Sequence, residues 1–170
     1  MAACPQPYPS CNPAITTPPA QQQPGSCLPS DLANAAAECS GGATTATCQS
    51  FFNFLFANGR GGCASCLQPF DIDFSRFNGI FECVSPYLPP SCAHVTGCIN
   101  DCETQSCAAC SASAQAQCES NVQNGQCATY VQQASCVFPA ITGPGAFCNP
   151  NNYGGNFGQW LQGVGGHYCQ

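Results

Sequence analysis

Polar and apolar positions first acquire a helical rhythm after residue 28. Ser30 or Asp31 stands as a cap ahead of Leu32-Ala33-Asn34-Ala35-Ala36-Ala37-Glu38, and alanine keeps the helical cost low, so a helix is predicted there, stopped by Gly41-Gly42. A second helix is predicted from Thr45 through Phe56, with Phe51, Phe52, Leu55 and Phe56 on one apolar face and Asn58-Gly59 as its stop. With a short loop between Cys39 and Cys48, the pair reads as a helical hairpin. Phe70, Phe74, Phe77, Ile80 and Phe81 follow and are expected in the core, as the largest apolar groups available. Further along, a helix is predicted from about Thr104 to Cys118, a turn at Asn124-Gly125, and another helix from about Gln126 to Ser135. The flanks differ. Residues 1–26 are rich in Pro, Gln and Thr and read as an extended arm pinned by Cys4, Cys11 and Cys27. The segment after Phe138 is rich in Pro and Gly and reads as irregular, with Tyr153, Phe157, Trp160, Leu161 and Tyr168 in a glycine-rich tail.

One stretch occurs twice. Cys4-Pro-Gln-Pro-Tyr-Pro-Ser-Cys11 returns as Cys83-Val-Ser-Pro-Tyr-Leu-Pro-Pro-Ser-Cys92. In the same register Cys27 aligns with Cys107, Cys39 with Cys118 and Cys48 with Cys127, each pair 79 or 80 residues apart. The expectation is two tandem modules, 1–82 and 83–170, each a disulfide-stapled helical hairpin with long irregular loops. The fold class is then mainly α, small and disulfide-rich, as one body or two.

Eighteen cysteines in 170 residues mark a disulfide framework, which belongs to oxidising compartments. All are expected in bridges: Cys4, Cys11, Cys27, Cys39, Cys48, Cys63, Cys66, Cys83, Cys92, Cys98, Cys102, Cys107, Cys110, Cys118, Cys127, Cys136, Cys148 and Cys169. Spacing does not reveal their connectivity. No leading signal segment is visible, so the expectation is a mature secreted chain behind an initiator methionine. No apolar run approaches the ~20 residues that cross a bilayer.

Charge narrows the function classes. There is no lysine, Arg60 and Arg76 are the basic residues, and the net charge is −6. No nucleic-acid partner is expected, since the basic footprint that neutralises phosphates is missing, and an anionic membrane surface is disfavoured for the same reason. With 6% charged residues the surface must be mostly neutral and amide-rich, which suits a resistant extracellular module or a subunit that packs against copies of itself.

Candidate chemistry is sparse. Cys63-Ala-Ser-Cys66 and Cys107-Ala-Ala-Cys110 have redox-pair or zinc-ligand spacing, but no βαβ context surrounds them and structural bridges are the plainer reading. His94 and His167 lie in no nucleophile motif. Asp71 and Asp73 could pair as acids or bind calcium, though no glycine-containing calcium loop encloses them. Arg60, in a loose Gly/Asn loop, resembles an inhibitor's bait residue only weakly. Cys4 follows small residues as a lipidated cysteine would, but a disulfide is preferred there. Tyr153, Phe157, Trp160 and Tyr168 remain candidate ligand or assembly contacts.

No catalytic residue, cofactor or metal is expected. The leading expectation is a secreted structural protein that self-associates in a filament, coat or matrix. The alternative is a monomeric extracellular module that binds carbohydrate or a protein ligand through the C-terminal aromatics.

Overall fold

A computed structural model describes residues 4–70, 78–111 and 114–170. The described residues are mainly helical and contain no strand. The helices are α1 (Pro29–Glu38), α2 (Ala46–Ala57), α3 (Gly61–Leu67), α4 (Asn78–Val84), α5 (Pro90–Cys107), α6 (Gln115–Asn124), α7 (Ala128–Gln133), α8 (Phe138–Thr142) and α9 (Phe157–Tyr168). By contacts the chain divides into two units. One combines Met1–Pro18 with Tyr87–Pro139, the other Pro19–Pro86 with Ala140–Gln170. This division cuts the chain differently from the sequence halves 1–82 and 83–170.

All eighteen cysteines are paired, in nine bridges, with none free. Five lie in the first unit: Cys4–Cys110, Cys11–Cys98, Cys92–Cys136, Cys102–Cys127 and Cys107–Cys118. Four lie in the second: Cys27–Cys63, Cys39–Cys48, Cys66–Cys169 and Cys83–Cys148. The pairing does not repeat in the 80-residue register. Cys39 bonds Cys48, whereas their counterparts Cys118 and Cys127 bond Cys107 and Cys102.

In the second unit α1 and α2 form the expected hairpin around Cys39–Cys48. The Thr45 hydroxyl accepts from the Cys48 N–H and caps α2, and Gly59 beyond its end takes φ +70°, the left-handed turn that Gly tolerates. Asp31 is not the cap of α1. It sits in the first turn and its carboxylate accepts from the Leu28 N–H at 2.9 Å, which does the capping from inside the helix. The core gathers Leu32, Phe52, Leu55, Leu67, Phe70, Ile80, Phe81, Trp160, Leu161 and Val164. Phe74 and Phe77 lie outside the described residues.

The tail is not irregular. Asn156 caps α9 by accepting from the Gln159 N–H, and Phe157, Trp160, Leu161, Val164 and Tyr168 form its buried stripe. Four glycines in twelve residues raise the helix's intrinsic cost, at about 1 kcal/mol each relative to alanine. Burial and close packing on alanine-rich α1 offset it. Tyr168 stacks on Phe70 and donates its hydroxyl to the Cys83 carbonyl, while Cys66–Cys169 fixes the helix end.

The first unit holds few large apolar side chains and buries sulfur instead. Cys102, Cys107, Cys118 and Cys127 surround Val122, with Tyr8 and Cys110 packed against them. Here the predicted helix from Thr104 to Cys118 is corrected: α5 ends at Cys107 and α6 begins at Gln115. A continuous helix would hold Cys107 and Cys118 about 16 Å apart. Their bridge brings the Cα atoms to 5.9 Å, so the chain must fold back. The proline-rich arm lies along α5. Tyr8 donates to Asp101 at 2.7 Å, Thr17 and Thr96 share a buried hydroxyl bond, and Gln126 clamps Gln6 and Tyr8. Gly97 makes the approach feasible, since a Cβ there would stand 2.8 Å from Ile15 and Thr16. Burial, then the Asp101 acceptor, pushes the Tyr8 hydroxyl well above its usual range.

Candidate functional site

The C-terminal aromatics do not form a surface. Trp160 is fully enclosed and donates its indole N–H to the Cys148 carbonyl at 2.9 Å, and Phe157 and Tyr168 are equally buried. Tyr153 is part-exposed, with its hydroxyl donating to the Phe147 carbonyl at 3.1 Å; burial raises its pKa. For Phe157, Trp160 and Tyr168 the physical reason is helical periodicity, which places them on the inward stripe of α9; Tyr153 precedes that helix.

The other candidate residues are dispersed. Cys63 and Cys66 belong to separate bridges, as do Cys107 and Cys110, so neither pair is a dithiol. Two clusters place potential ligand atoms within 4.8 Å of one another, Cys4 with Cys110 and Cys118, and Cys11 with His94 and Cys98. Their sulfurs are in disulfides, which removes the thiolates a metal would need. Cys4, a bridge partner of Cys110, is a disulfide cysteine here. Arg60 forms an ion pair with Asp31 and is not a free bait residue. His167 stacks on Phe147 at a centroid distance of 3.9 Å. Asp71, Asp73 and Arg76 lie outside the described residues.

The second unit does contain a groove, of about 280 Å³, between the helices of the α1–α2 hairpin. Asn34 and Glu38 line it from α1, one turn apart. Thr47, Ser50, Phe51 and Phe54 line it from α2, also at helical spacing. The Cys39–Cys48 bridge holds the two helices, and the Thr47 hydroxyl donates to the Glu38 carbonyl at 2.7 Å. Phe51 is buried, while Phe54 is 54% exposed. The lining offers one carboxylate, one amide, two hydroxyls and two aromatic rings, of which Phe54 is the exposed one, a set suited to a hydroxyl-rich ligand. It contains neither a second carboxylate nor a histidine with which Glu38 could share acid–base work.

Sequence reasoning had not singled out this groove. Its signal was present as polar residues at helical spacing on both arms of a hairpin, but only the pairing of Cys39 with Cys48 brings those faces together. No protein-family model, curated protein or solved structure matches the chain.

Proposed function

We propose that this protein is a secreted structural module that associates with copies of itself in an extracellular filament, coat or matrix. The observation that carries the reading is on α2, where Phe54 and Phe56 are each 54% exposed in a chain with 6% charged residues. Exposed aromatic side chains favour contact, and there is little like-charge repulsion to oppose it. Five bridges within one unit and four within the other stiffen each unit's own surface, which lowers the entropy lost when copies pack. No described helix is long and apolar enough to cross a membrane. The bridges themselves are consistent with an oxidising, extracellular setting.

Light scattering over a concentration series, under oxidising conditions, tests this. Particle size should grow with concentration, and the double substitution Phe54→Ser with Phe56→Ser should suppress the growth. A monomer at every concentration would overturn the reading.

The α1–α2 groove favours a second reading, a binding module for a carbohydrate, with Phe54 as the stacking ring and Asn34 and Glu38 as polar contacts. A glycan screen separates the two: Asn34→Ala should abolish glycan capture and leave particle growth unchanged.

A further inference from the structure

The nine bridges differ in access and in company. Six join cysteines that are both buried. In the remaining three, Cys4–Cys110, Cys11–Cys98 and Cys92–Cys136, at least one partner is more open to solvent. Cys11–Cys98 is set apart by His94, one turn before Cys98 on α5. The ring places Nε2 at 3.6 Å and Nδ1 at 3.9 Å from Cys98 Sγ. Its Nδ1 also lies 2.6 Å from the Ile15 carbonyl. A carbonyl can only accept, so Nδ1 carries the hydrogen of that bond. Nε2, the nitrogen nearer the sulfur, is then the one that gains or gives a proton.

Access and company fall on opposite ends of the bridge. Cys11 is half-buried, whereas Cys98 is 1% exposed and faces the imidazole. Thiol–disulfide exchange is governed by which sulfur can be reached and by how well the departing thiolate is stabilised. We infer that Cys11–Cys98 is a thiol-exchange site of this protein, attacked at Cys11 by a small external thiol with His94 receiving Cys98 as the leaving group. The attacking thiolate forms a new S–S bond to Cys11 Sγ. The Cys11–Cys98 bond breaks and its electron pair goes to Cys98 Sγ. The His94 imidazolium transfers its Nε2 proton to that sulfur and becomes neutral, then regains a proton from solvent. The product is a mixed disulfide at Cys11 and a thiol at Cys98. The arm stays tethered through Cys4–Cys110 and the Gln126 clamp, so the opening is local. This inference does not depend on self-association.

Other titratable groups surround the site. Asp101 lies on the same helix and is engaged by Tyr8 of the arm, and the Tyr130 hydroxyl of α7 accepts from the Cys11 N–H at 3.3 Å. Of these groups, His94 is the one whose ring nitrogens stand beside the Cys98 sulfur.

The experiment treats the oxidised full chain with limiting glutathione from about pH 5 to about pH 8. Samples are quenched by alkylation and each bridge is followed by peptide mass spectrometry. Cys4–Cys110, which is more exposed and has no histidine beside it, is the internal reference. The ratio of opening rates, Cys11–Cys98 over Cys4–Cys110, cancels the change in glutathione thiolate with pH. It should rise as pH falls, with glutathione found on Cys11 and the free thiol on Cys98. His94→Gln should lower the ratio by roughly tenfold at the acid end and flatten its pH profile. A ratio in the unmodified protein that does not change with pH would overturn the inference without recourse to any variant. So would glutathione found on Cys98, or a His94→Gln protein of unchanged ratio.

Discussion

Gly158 of α9 lies against Ala36 of α1 so closely that a Cβ on the glycine would stand 2.3 Å from the Ala36 carbonyl oxygen. The Ser40 nitrogen and the Ala35 carbonyl, at 2.8 and 2.9 Å, close the remaining sides. These neighbours are backbone atoms and cannot rotate away. Gly158→Ala should therefore push the two helices apart and cost about 1–3 kcal/mol or more. Gly166→Ala on the same helix is the matched control, since its nearest neighbour is the Gln170 side chain at 3.9 Å. It should be neutral or stabilise by up to ~1 kcal/mol through helix propensity. Denaturant unfolding of the two oxidised variants reads the opposite signs directly.

The Arg60–Asp31 ion pair ties the first turn of α1 to the residue that precedes α3. Asp31 has 5% of its side chain exposed and Arg60 29%. Removing the arginine leaves a buried carboxylate that still accepts from the Leu28 N–H but has lost its counter-charge. Arg60→Ala is expected to cost about 1–3 kcal/mol. Arg60→Lys should recover part of that loss, since it restores the charge without the guanidinium fork. Thermal unfolding in low and high salt checks it, and the partly enclosed pair should be only weakly sensitive to salt.

Burial pushes the Glu82 carboxyl on α4 up from its ordinary value near 4.5 to about 7. The folded chain thus holds this proton more tightly than the unfolded chain does. The associated stability is present in full below about pH 4.5 and is lost as pH rises through about 7. Glu82→Gln should match the unmodified protein in acid and exceed it above neutrality. The difference between their unfolding midpoints, measured across that window, gives the titration; a constant difference would contradict it.

Trp160 should report folding and not binding. Its ring is fully enclosed and its N–H is satisfied by Cys148. Emission should be blue-shifted and resist acrylamide until the bridges are reduced and the chain unfolds. Quenching of the oxidised protein at the rate of free tryptophan would show that the α9 stripe is exposed.

What could be read along the chain was what local chemistry controls. α2 was legible because its cap, apolar face and stop all lie within fifteen residues, from Thr45 to Gly59, although Phe56, expected on that face, is exposed and Cys48 is buried in its stead. The Asn124-Gly125 turn was legible for the same reason: it ends α6 with a residue pair that has little helical preference. α9 was obscured because its glycines argue locally against a helix, even though Asn156 and the spacing of Phe157, Trp160, Leu161, Val164 and Tyr168 argue for one. The groove residues Asn34, Glu38, Thr47, Ser50 and Phe54 carry no local mark, because nothing in the sequence near them says which helix faces them.

Composition alone determined a cysteine-rich chain with almost no charge, since those are sums over residues, and local caps, apolar spacing and stops added that it is mainly helical. Tertiary structure decided which cysteine meets which, and the rest followed from that. Cys107 reaching back to Cys118 broke a helix that propensity would have continued, and Cys66–Cys169 drew a glycine-rich tail into the core. His94 came to face a disulfide whose other half lies 83 residues earlier in the chain. Long-range closure depends on three-dimensional packing, and no window of sequence contains it.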